Sequence, residues 1–436
     1  MKLDITADGA KVGVIETTPN GPLIRYDEDW RQMRDAFPIS LTMPLTNPEA
    51  GPEIVMPWLM NLLPEGEPLR AMTRALGVAN EDIVGLIVHT GLDLAGALTI
   101  IEAQVRGKPT YLPIGGEADL ERIISELPTK PFLVGDDGVS MSLAGAQEKL
   151  PLALIDGQLA VPINGAPSLH ILKPDNPRLY GSVQNEALCM VLARRCGLSV
   201  APVTTGVAGK RTYLLVDRYD RFYGGAQVRR LHQEDFCQAL AKPPAAKYEH
   251  NSSGISGPTL TDMFELVRAH MTARDITRLL DAVIFNIAIG NVDSHAKNYS
   301  ILLGPGRAEL APLYDLMSGL SWSNITQNHA QDIGGQRRGR HIYGRHWRRM
   351  AEAADLNTTA AVRRVGQMTG RILAELPSAV EEVAAMPAGS GDMLDVFAAA
   401  ITDRVRIVGN NAHIYGDAGP DEAPAPEAGA TKYDQG

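Results

Sequence analysis

Ile289-Gly290-Asn291-Val292-Asp293-Ser294-His295-Ala296-Lys297-Asn298-Tyr299-Ser300 is the stretch from which this chain is best read. An Asp and an Asn stand five positions apart, with His295 and Lys297 between them. Before them, Ile276, Leu279, Leu280, Val283, Ile284 and Ile287 recur at helical spacing, and Thr272 with Asp275 makes a capping-box start. Gly290 ends that helix, so Asp293 is delivered on a loop from a rigid element. A strand-like run at 299–303 follows, turns at Gly304-Pro305-Gly306, returns over 308–311 and leads to Asp315. Asp293, Asn298 and Asp315, in that order, suit phosphoryl transfer. The first carboxylate accepts the proton of an attacking hydroxyl. The amide and the later carboxylate hold the magnesium that neutralises phosphates. Asp, Asn and Ser are also ordinary turn formers, so the order of the elements upstream has to decide.

That order starts at Ser140. Residues 140–149 are small and polar, residues 150–155 are apolar and strand-like, Asp156-Gly157 is a hairpin turn, and 159–162 return. A small-residue loop between two strands can lay backbone N–H groups on phosphates. With one glycine it can equally be a plain hairpin. Leu169-His170-Ile171-Leu172-Lys173-Pro174 is a strand with a lysine near its end, the place from which a kinase small lobe holds the α- and β-phosphates. A helix runs from Ser182 to a stop at Gly197. Glu186 near its start can pair with Lys173, or can be simple first-turn acid preference. Strands at 200–207 and 212–216 lead to the connector Asp217-Arg218-Tyr219-Asp220-Arg221, where a kinase hinge offers backbone groups to adenine. Loop, lysine strand, glutamate helix, strands, connector, helices, Asp-x4-Asn loop and lone Asp form the order of a protein kinase. No glycine follows Asp315-Leu316, which excludes an Asp-Phe-Gly switch.

The remaining chain bounds this reading. With 436 residues, two or three lobes are expected. Hydrophobic content is 44%, ordinary for a globular protein. No apolar run reaches the roughly 18 residues of a membrane span. Met1-Lys2-Leu3-Asp4 lacks the apolar core of a signal peptide. The scattered Cys189, Cys196 and Cys237 sit in apolar surroundings without metal-ligand pairing, so buried thiols and a reduced cytoplasm are expected. A net charge of −10 argues against a nucleic-acid binder as a whole. Arg337, Arg338, Arg340, Arg345, Arg348 and Arg349 nonetheless form an acid-free patch with His341, Tyr343, His346 and Trp347. It is either a solvated surface or a docking face for an anionic partner such as a phosphate backbone.

In the first third, Asn20-Gly21 predicts a hairpin in a β-rich start. Helices are expected at 30–36, from Trp58 to a stop at Pro64, at 68–76 and at 82–88. No catalytic constellation stands out there. From about Gly416 the composition turns to Gly, Ala, Pro and acid, and a disordered tail is expected.

These residues together carry a family likeness. The chain resembles the HipA-type serine/threonine kinase toxins of bacterial toxin–antitoxin modules along nearly its whole length. The likeness rests on Asn61-Leu62-Leu63-Pro64-Glu65, Gly91 with Gly96-Ala97, Ser142 with Ala144-Gly145-Ala146-Gln147-Glu148-Lys149, the Lys173 strand, and Arg218 with Asp220-Arg221. It rests further on Gln233-Glu234-Asp235, Asp293 with His295-Ala296-Lys297-Asn298, Tyr314-Asp315 and Ile333-Gly334-Gly335. The resemblance implies an α+β, protein-kinase-like two-lobed fold with a mixed α/β N-terminal part and a mostly α-helical C-terminal lobe. The expected units are 1–130, an ATP-binding lobe 131–230, a catalytic lobe 231–415 and a tail 416–436. Asp293 would be the catalytic base, and Asn298 and Asp315 would hold Mg2+. Ala144, Gly145, Ala146, Gln147, Glu148 and Lys149 would form the phosphate loop, with Lys173 as the phosphate lysine. Asp217, Arg218 and Tyr219 would be the hinge, and His295, Ala296, Lys297, Asn298, Tyr314 and Asp315 would also line the ATP site. Ser142, with Ser140 as a nearby rival, matches the position where such kinases phosphorylate themselves and eject the loop. The implied partners are a HipB-like helix-turn-helix antitoxin, operator DNA reached through it, and a protein substrate, typically an aminoacyl-tRNA synthetase. No membrane partner is implied. Three rivals remain: a small-molecule phosphotransferase with the same loop, a catalytically spent co-repressor of the antitoxin, and a metal hydrolase. The last lacks a third ligand near Asp293 and His295.

Overall fold

Two sheets and a helical lobe meet around one cleft in the computed structural model, which describes residues 1–102, 107–224 and 227–415. The acidic, Gly/Ala/Pro-rich tail lies outside the described residues. Strands β1 (Lys2–Ala7), β2 (Ala10–Thr18) and β3 (Gly21–Tyr26) form a meander. The Asn20-Gly21 expectation is met: the β2–β3 pairing closes at Thr18 and Gly21, with Gly21 at φ +117°. Helix α1 (Glu28–Gln32) is capped by Asp27, whose carboxylate accepts from the Asp29 and Trp30 amides. It therefore starts and ends earlier than the expected 30–36. After the short β4 (Glu49–Ala50), helix α2 (Pro52–Met60) likewise starts early, because Pro52 takes the first helical position. Helix α3 (Gly66–Leu76) ends on left-handed Gly77, and α4 (Ile83–Thr90) is capped by Asp82. Strand β5 (Leu98–Ile101) completes a sheet of order β4-β3-β2-β1-β5.

The second sheet begins with β6 (Thr110–Pro113), followed by α5 (Glu117–Glu126), β7 (Leu150–Ile155), β8 (Gln158–Ile163) and β9 (His170–Pro174). Helix α6 (Ser182–Arg195) precedes β10 (Val203–Ala208) and β11 (Arg211–Asp217). The strand order is β10-β11-β9-β7-β8-β6. Strand β6 stands on the N-terminal side of residue 130 yet pairs with β8, so the sheet draws on both sides of that boundary. One hydrophobic core does the same, joining Leu3, Ile5 and Trp58 to Leu150, Leu152 and Leu172. The small-residue loop enters β7 from an extended segment rather than from a strand. That segment makes single bridges to the N-terminal unit, Met141 with Asp93 and Gly145 with Pro64. The expectation of a loop between two strands is corrected accordingly: bridges this isolated hold the loop without forming a ladder.

A hairpin of β12 (Arg221–Gly224) and β13 (Gln227–Arg230) leads to β14 (His232–Asp235) and α7 (Phe236–Ala239). Then come α8 (Leu260–His270) and α9 (Ala273–Ile289), which starts on the Thr272–Asp275 capping box and ends on left-handed Gly290. Strand β15 (Ser300–Gly304) pairs with β14 on one side and with β16 (Arg307–Leu310) on the other. Strands β17 (Asn328–Ile333) and β18 (Gln336–Arg338) and helices α10 (Gly344–Ala353), α11 (Thr358–Ala384) and α12 (Asp392–Asn411) complete the lobe. Helix α6 is buried with α9 and α11 in this second core, which ties the Glu186 helix to the catalytic lobe. Among the described residues no helix is long and apolar enough to cross a membrane. Cys189, Cys196 and Cys237 are buried free thiols.

Candidate active site

The cleft between the lobes has a volume of about 1030 Å3, including the part open to solvent. Its far end is marked by Lys173 on β9. The Lys173 ammonium is 7% exposed and lies 2.6 Å from Glu186 Oε1 and 2.6 Å from Asp315 Oδ1. Burial works against the charge, but the carboxylates of Asp315 and Glu186 outweigh it and hold the pKa above that of an ordinary lysine. The pairing of Lys173 with Glu186 thus decides between the two readings open for that glutamate. Asp315 sits at φ 58°, a left-handed conformation that few L-residues other than Asn and Asp adopt.

Opposite stands the loop delivered by α9. Asp293 is buried, and its amide donates to Asn291 Oδ1 at 3.1 Å. The Asn298 side-chain amide donates to the Asp293 carbonyl at 2.8 Å. With its NH2 thus engaged, the Asn298 side-chain oxygen becomes its acceptor end. Asn298 and Asp315 offer hard oxygen donors, the set a magnesium ion on phosphates favours. Both line the cleft, and both also line a second one of about 1070 Å3 together with Asp293, Asp175 and Arg178. Asp293 thus faces the side from which an acceptor hydroxyl can approach.

Residues 144–149 roof the cleft. Gly145 adopts φ +102°, its carbonyl accepts from the Glu65 amide at 3.1 Å, and Lys149 Nζ donates to the Ala144 carbonyl at 2.5 Å. The positive φ of Gly145 is what favours glycine here, since an added Cβ would meet only the movable end of Lys149. Ala146 and Gln147 line both clefts, and Glu148 lines the second. Burial pushes the Glu148 carboxyl up, with Arg211 pulling against it. Ser142 is fully buried beneath the loop, and its hydroxyl donates to the Leu62 carbonyl at 2.9 Å. Ser140 is half-buried, its hydroxyl accepting from the Leu92 amide at 3.3 Å.

Asp217, Arg218 and Tyr219 all line the cleft, with their side chains held differently. The Arg218 guanidinium bonds Asp220 at 2.9 and 2.7 Å, Ser168 at 2.8 Å and the Leu94 carbonyl at 2.9 Å. Its amide donates to the Leu169 carbonyl. Asp217 is tied to His170 at 2.9 Å. Tyr219 stacks on Tyr314 with ring centroids 5.8 Å apart. Burial drives the pKa of both phenols up. Ala296 is buried in the core of the helical lobe, outside the cleft lining. His295 lines the cleft edge-on to Tyr248. The Lys297 ammonium lines it too, held by Asn61 Oδ1 at 2.6 Å and Asp235 Oδ2 at 2.9 Å.

Residues 141–376 match the HipA-like C-terminal domain, and residues 3–101 match the HipA N-terminal domain. The chain belongs to the HipA family. A Sinorhizobium fredii protein bearing a kinase name is 36% identical to this HipA-type chain, over 93% of it and 98% of the relative. The serine/threonine-protein kinase toxin HipA of Shewanella oneidensis is 32% identical over 84% of this chain and 87% of its own. A solved structure of HipA with HipB and its operator DNA, also from Shewanella oneidensis, superposes with a TM-score of 0.82 at 27% identity. It covers 94% of this chain and 99% of that one. The chain is a HipA-type kinase with the expected α+β, two-lobed architecture.

For this HipA-type kinase the residues that sequence reasoning left without a role are instructive. Asn61, on the N-terminal unit read as chemically silent, reaches the cleft through Lys297. Asp93 of the same unit is buried with Arg218, Asp220, Arg221 and Arg230 in one ionic network, 3.0 Å from Arg221 Nη2 and 3.3 Å from Arg230 Nη2. Burial pushes the Asp93 carboxyl up, but Arg221, Arg218 and Arg230 together win and hold it below the ordinary range. The network locks the connector after β11 to the N-terminal unit. Motif identity alone signalled Asn61 and Asp220. Tyr248, whose hydroxyl donates to Asp293 Oδ1, carried no signal at all.

The arginine patch divides. Arg345 is buried against the Tyr343 ring at 4.8 Å, Arg337 and Arg338 are half-buried, and Arg340, Arg348 and Arg349 are exposed.

Proposed function

We propose that this HipA-type kinase transfers the γ-phosphoryl group of Mg-ATP to a serine or threonine hydroxyl of a protein substrate. The observation that carries this reading is the Lys173 ammonium set between Glu186 and Asp315, with Asn298 and Asp315 shared between its cleft and the one that Asp293 lines. In it, Tyr219 and Tyr314 flank the adenine end, and the backbone of residues 144–149 with Lys149 and Lys173 holds the phosphates. Asn298 and Asp315 hold Mg2+, which when bound neutralises charge on the phosphates. Asp293 accepts the hydroxyl proton as the oxygen attacks phosphorus. The binding and orientation are this chain's own contribution.

As a member of a toxin family the chain acts in the cytoplasm, paired with a HipB-like helix-turn-helix antitoxin through which it reaches operator DNA. Its substrate is an aminoacyl-tRNA synthetase, whose modification halts translation and leads to growth arrest and persistence. Ser142 ends the activity. A phosphate cannot fit where the buried hydroxyl now sits, so a modified loop stays out of the cleft.

Intact mass after incubating dephosphorylated wild type and Asp293→Asn with Mg-ATP tests the reading. One added phosphate on the 140–142 peptide, absent in the variant, is the expected result. Wild type that neither binds ATP nor gains phosphate overturns it and leaves the spent co-repressor as the better account.

A further inference from the structure

The chain between α7 and α8 carries Lys247-Tyr248-Glu249-His250, a segment pressed between the Asp293 loop and β17. Backbone bonds pin it on both sides. The Ala296 amide donates to the Lys247 carbonyl at 3.2 Å, and the Glu249 amide donates to the Ala330 carbonyl at 3.1 Å. The Lys247 ammonium adds an ion pair with Glu65 at 3.0 Å. The chain then returns at Gly257, packed so closely that a Cβ there would lie 1.8 Å from the Tyr248 carbonyl oxygen. Between these fixings Tyr248 is 6% exposed. Its ring stands edge-on to His295, centroids 5.0 Å apart at 82°, and its hydroxyl donates to Asp293 Oδ1.

We propose that Tyr248 is a positioning residue for the base. Its phenol holds the plane of the Asp293 carboxylate for proton transfer. This rests on the reading of Asp293 as the base. A donor to a carboxylate oxygen removes rotation that would otherwise misdirect the accepting oxygen. In the step itself the acceptor hydroxyl oxygen bonds to the γ-phosphorus and the bond from that phosphorus to the β,γ-bridging oxygen breaks. The hydroxyl proton passes to Asp293, while the phenol of Tyr248 keeps its own. The backbone pins and the His295 contact make this a rigid mount, unlike a surface tyrosine that reaches in by chance.

Tyr248→Phe removes one oxygen and leaves the ring against His295. Phosphoryl transfer from ATP by the full chain, to itself or to water as released phosphate, is measured beside wild type and Asp293→Asn. A hydrogen bond to a charged group is worth roughly ten- to a hundredfold in an equilibrium, so kcat should fall by about that factor with the KM for ATP unchanged. That split, a lost kcat at an unchanged KM, is one that general loosening of the site would not give. In the Asp293→Asn background the second change should remove nothing further. Should Tyr248→Phe not fold, 4-aminophenylalanine at the same position serves instead: it keeps the ring and an N–H donor, and kcat should stay close to wild type. An abolished rate in Asp293→Asn with a wild-type kcat in Tyr248→Phe, or with kcat lost in the 4-aminophenylalanine chain, overturns this proposal alone. A wild-type rate in Asp293→Asn overturns the base assignment and the proposal with it.

Discussion

Replacing Asn61 with alanine would test whether the N-terminal unit is part of the catalytic apparatus. The Asn61 side chain makes three bonds in the structure. Its Nδ2 donates to the carbonyls of Pro57 and Lys242, each at 2.8 Å, and its Oδ1 accepts from Lys297 Nζ at 2.6 Å. The residue is 2% exposed, so water does not replace these partners. Two neutral bonds at about 1 kcal/mol each and one charge-assisted bond at about 1.5–3 kcal/mol give a loss of about 3–5 kcal/mol. Lys297 would keep Asp235 at 2.9 Å and the longer bond to the Asn61 carbonyl at 3.3 Å but lose its shortest anchor. Since Lys297 lies between Asp293 and Asn298, the loop that carries both would loosen. Asn61→Ala should therefore lower the denaturant midpoint and, under conditions where it remains folded, also lower kcat. Asn61→Asp should rescue neither, because its second oxygen would face the two carbonyls that now accept from Nδ2. Denaturant titration and phosphoryl transfer on the same samples give both readings. An Asn61→Ala chain whose midpoint and kcat match wild type would refute the argument.

Three further outcomes are expected. Burial pushes the Glu234 carboxyl up to about 8, with the Ser40 hydroxyl and Leu41 amide pulling it back. The folded chain therefore keeps a proton that the unfolded chain loses near the ordinary 4.5, and stability should decline as pH rises from about 4.5 through about 8. Denaturant midpoints measured between pH 6.5 and 9 should show that decline in wild type and a flatter course in Glu234→Gln. Asp315→Asn keeps the left-handed backbone while removing a carboxylate from the magnesium set. It also takes from the buried Lys173 ammonium one of its two carboxylate partners, so it should unfold at a lower midpoint and transfer phosphate about a hundredfold more slowly, as read by phosphate release over a magnesium titration. If Arg340, Arg348 and Arg349 face operator DNA, each alanine replacement should flatten the salt dependence of the assembly with antitoxin and operator by about 0.9 per lost phosphate contact. Fluorescence anisotropy over a salt series would show an unchanged slope if they do not.

The catalytic half of the site was legible because its chemistry is written locally. The α9 stripe, the Gly290 stop and the five-residue spacing from Asp293 to Asn298 each lie within one stretch of chain. Lys173 and Glu186 were legible as strand and helix positions whose meeting only the fold could establish. What was missed depends on packing between distant segments. Tyr248 stands in a segment without periodicity, and its bond to Asp293 spans 45 positions. Asn61 and Lys297 are separated by 236. Arg218 lines the cleft where the connector reading placed it, and Asp220 and the Leu94 carbonyl hold its guanidinium, contacts between segments that no local motif displays. The helices expected at 30–36 and from Trp58 were placed late because the Asp27 cap and Pro52 begin them before the residues that signalled them. Strand β6 pairs with β8, a contact between segments some fifty residues apart in the chain that local composition does not show.

The backbone at Asp315 bears on how such a gene can decay. At φ 58° an aspartate is held where glycine or asparagine would be at least as comfortable. Elsewhere in the cleft, inactivating substitutions leave a buried charge or a broken mount, and the damaged chain becomes prey to proteolysis. At position 315 a single base change from an Asp codon can give Asn or Gly and a silent protein whose backbone is unstrained and whose Lys173 still pairs with Glu186. A lineage under pressure to disarm this enzyme while retaining its surfaces for binding has an open route here. Full-length copies with Asn or Gly at this position and every other cleft residue intact are what such a history would leave behind.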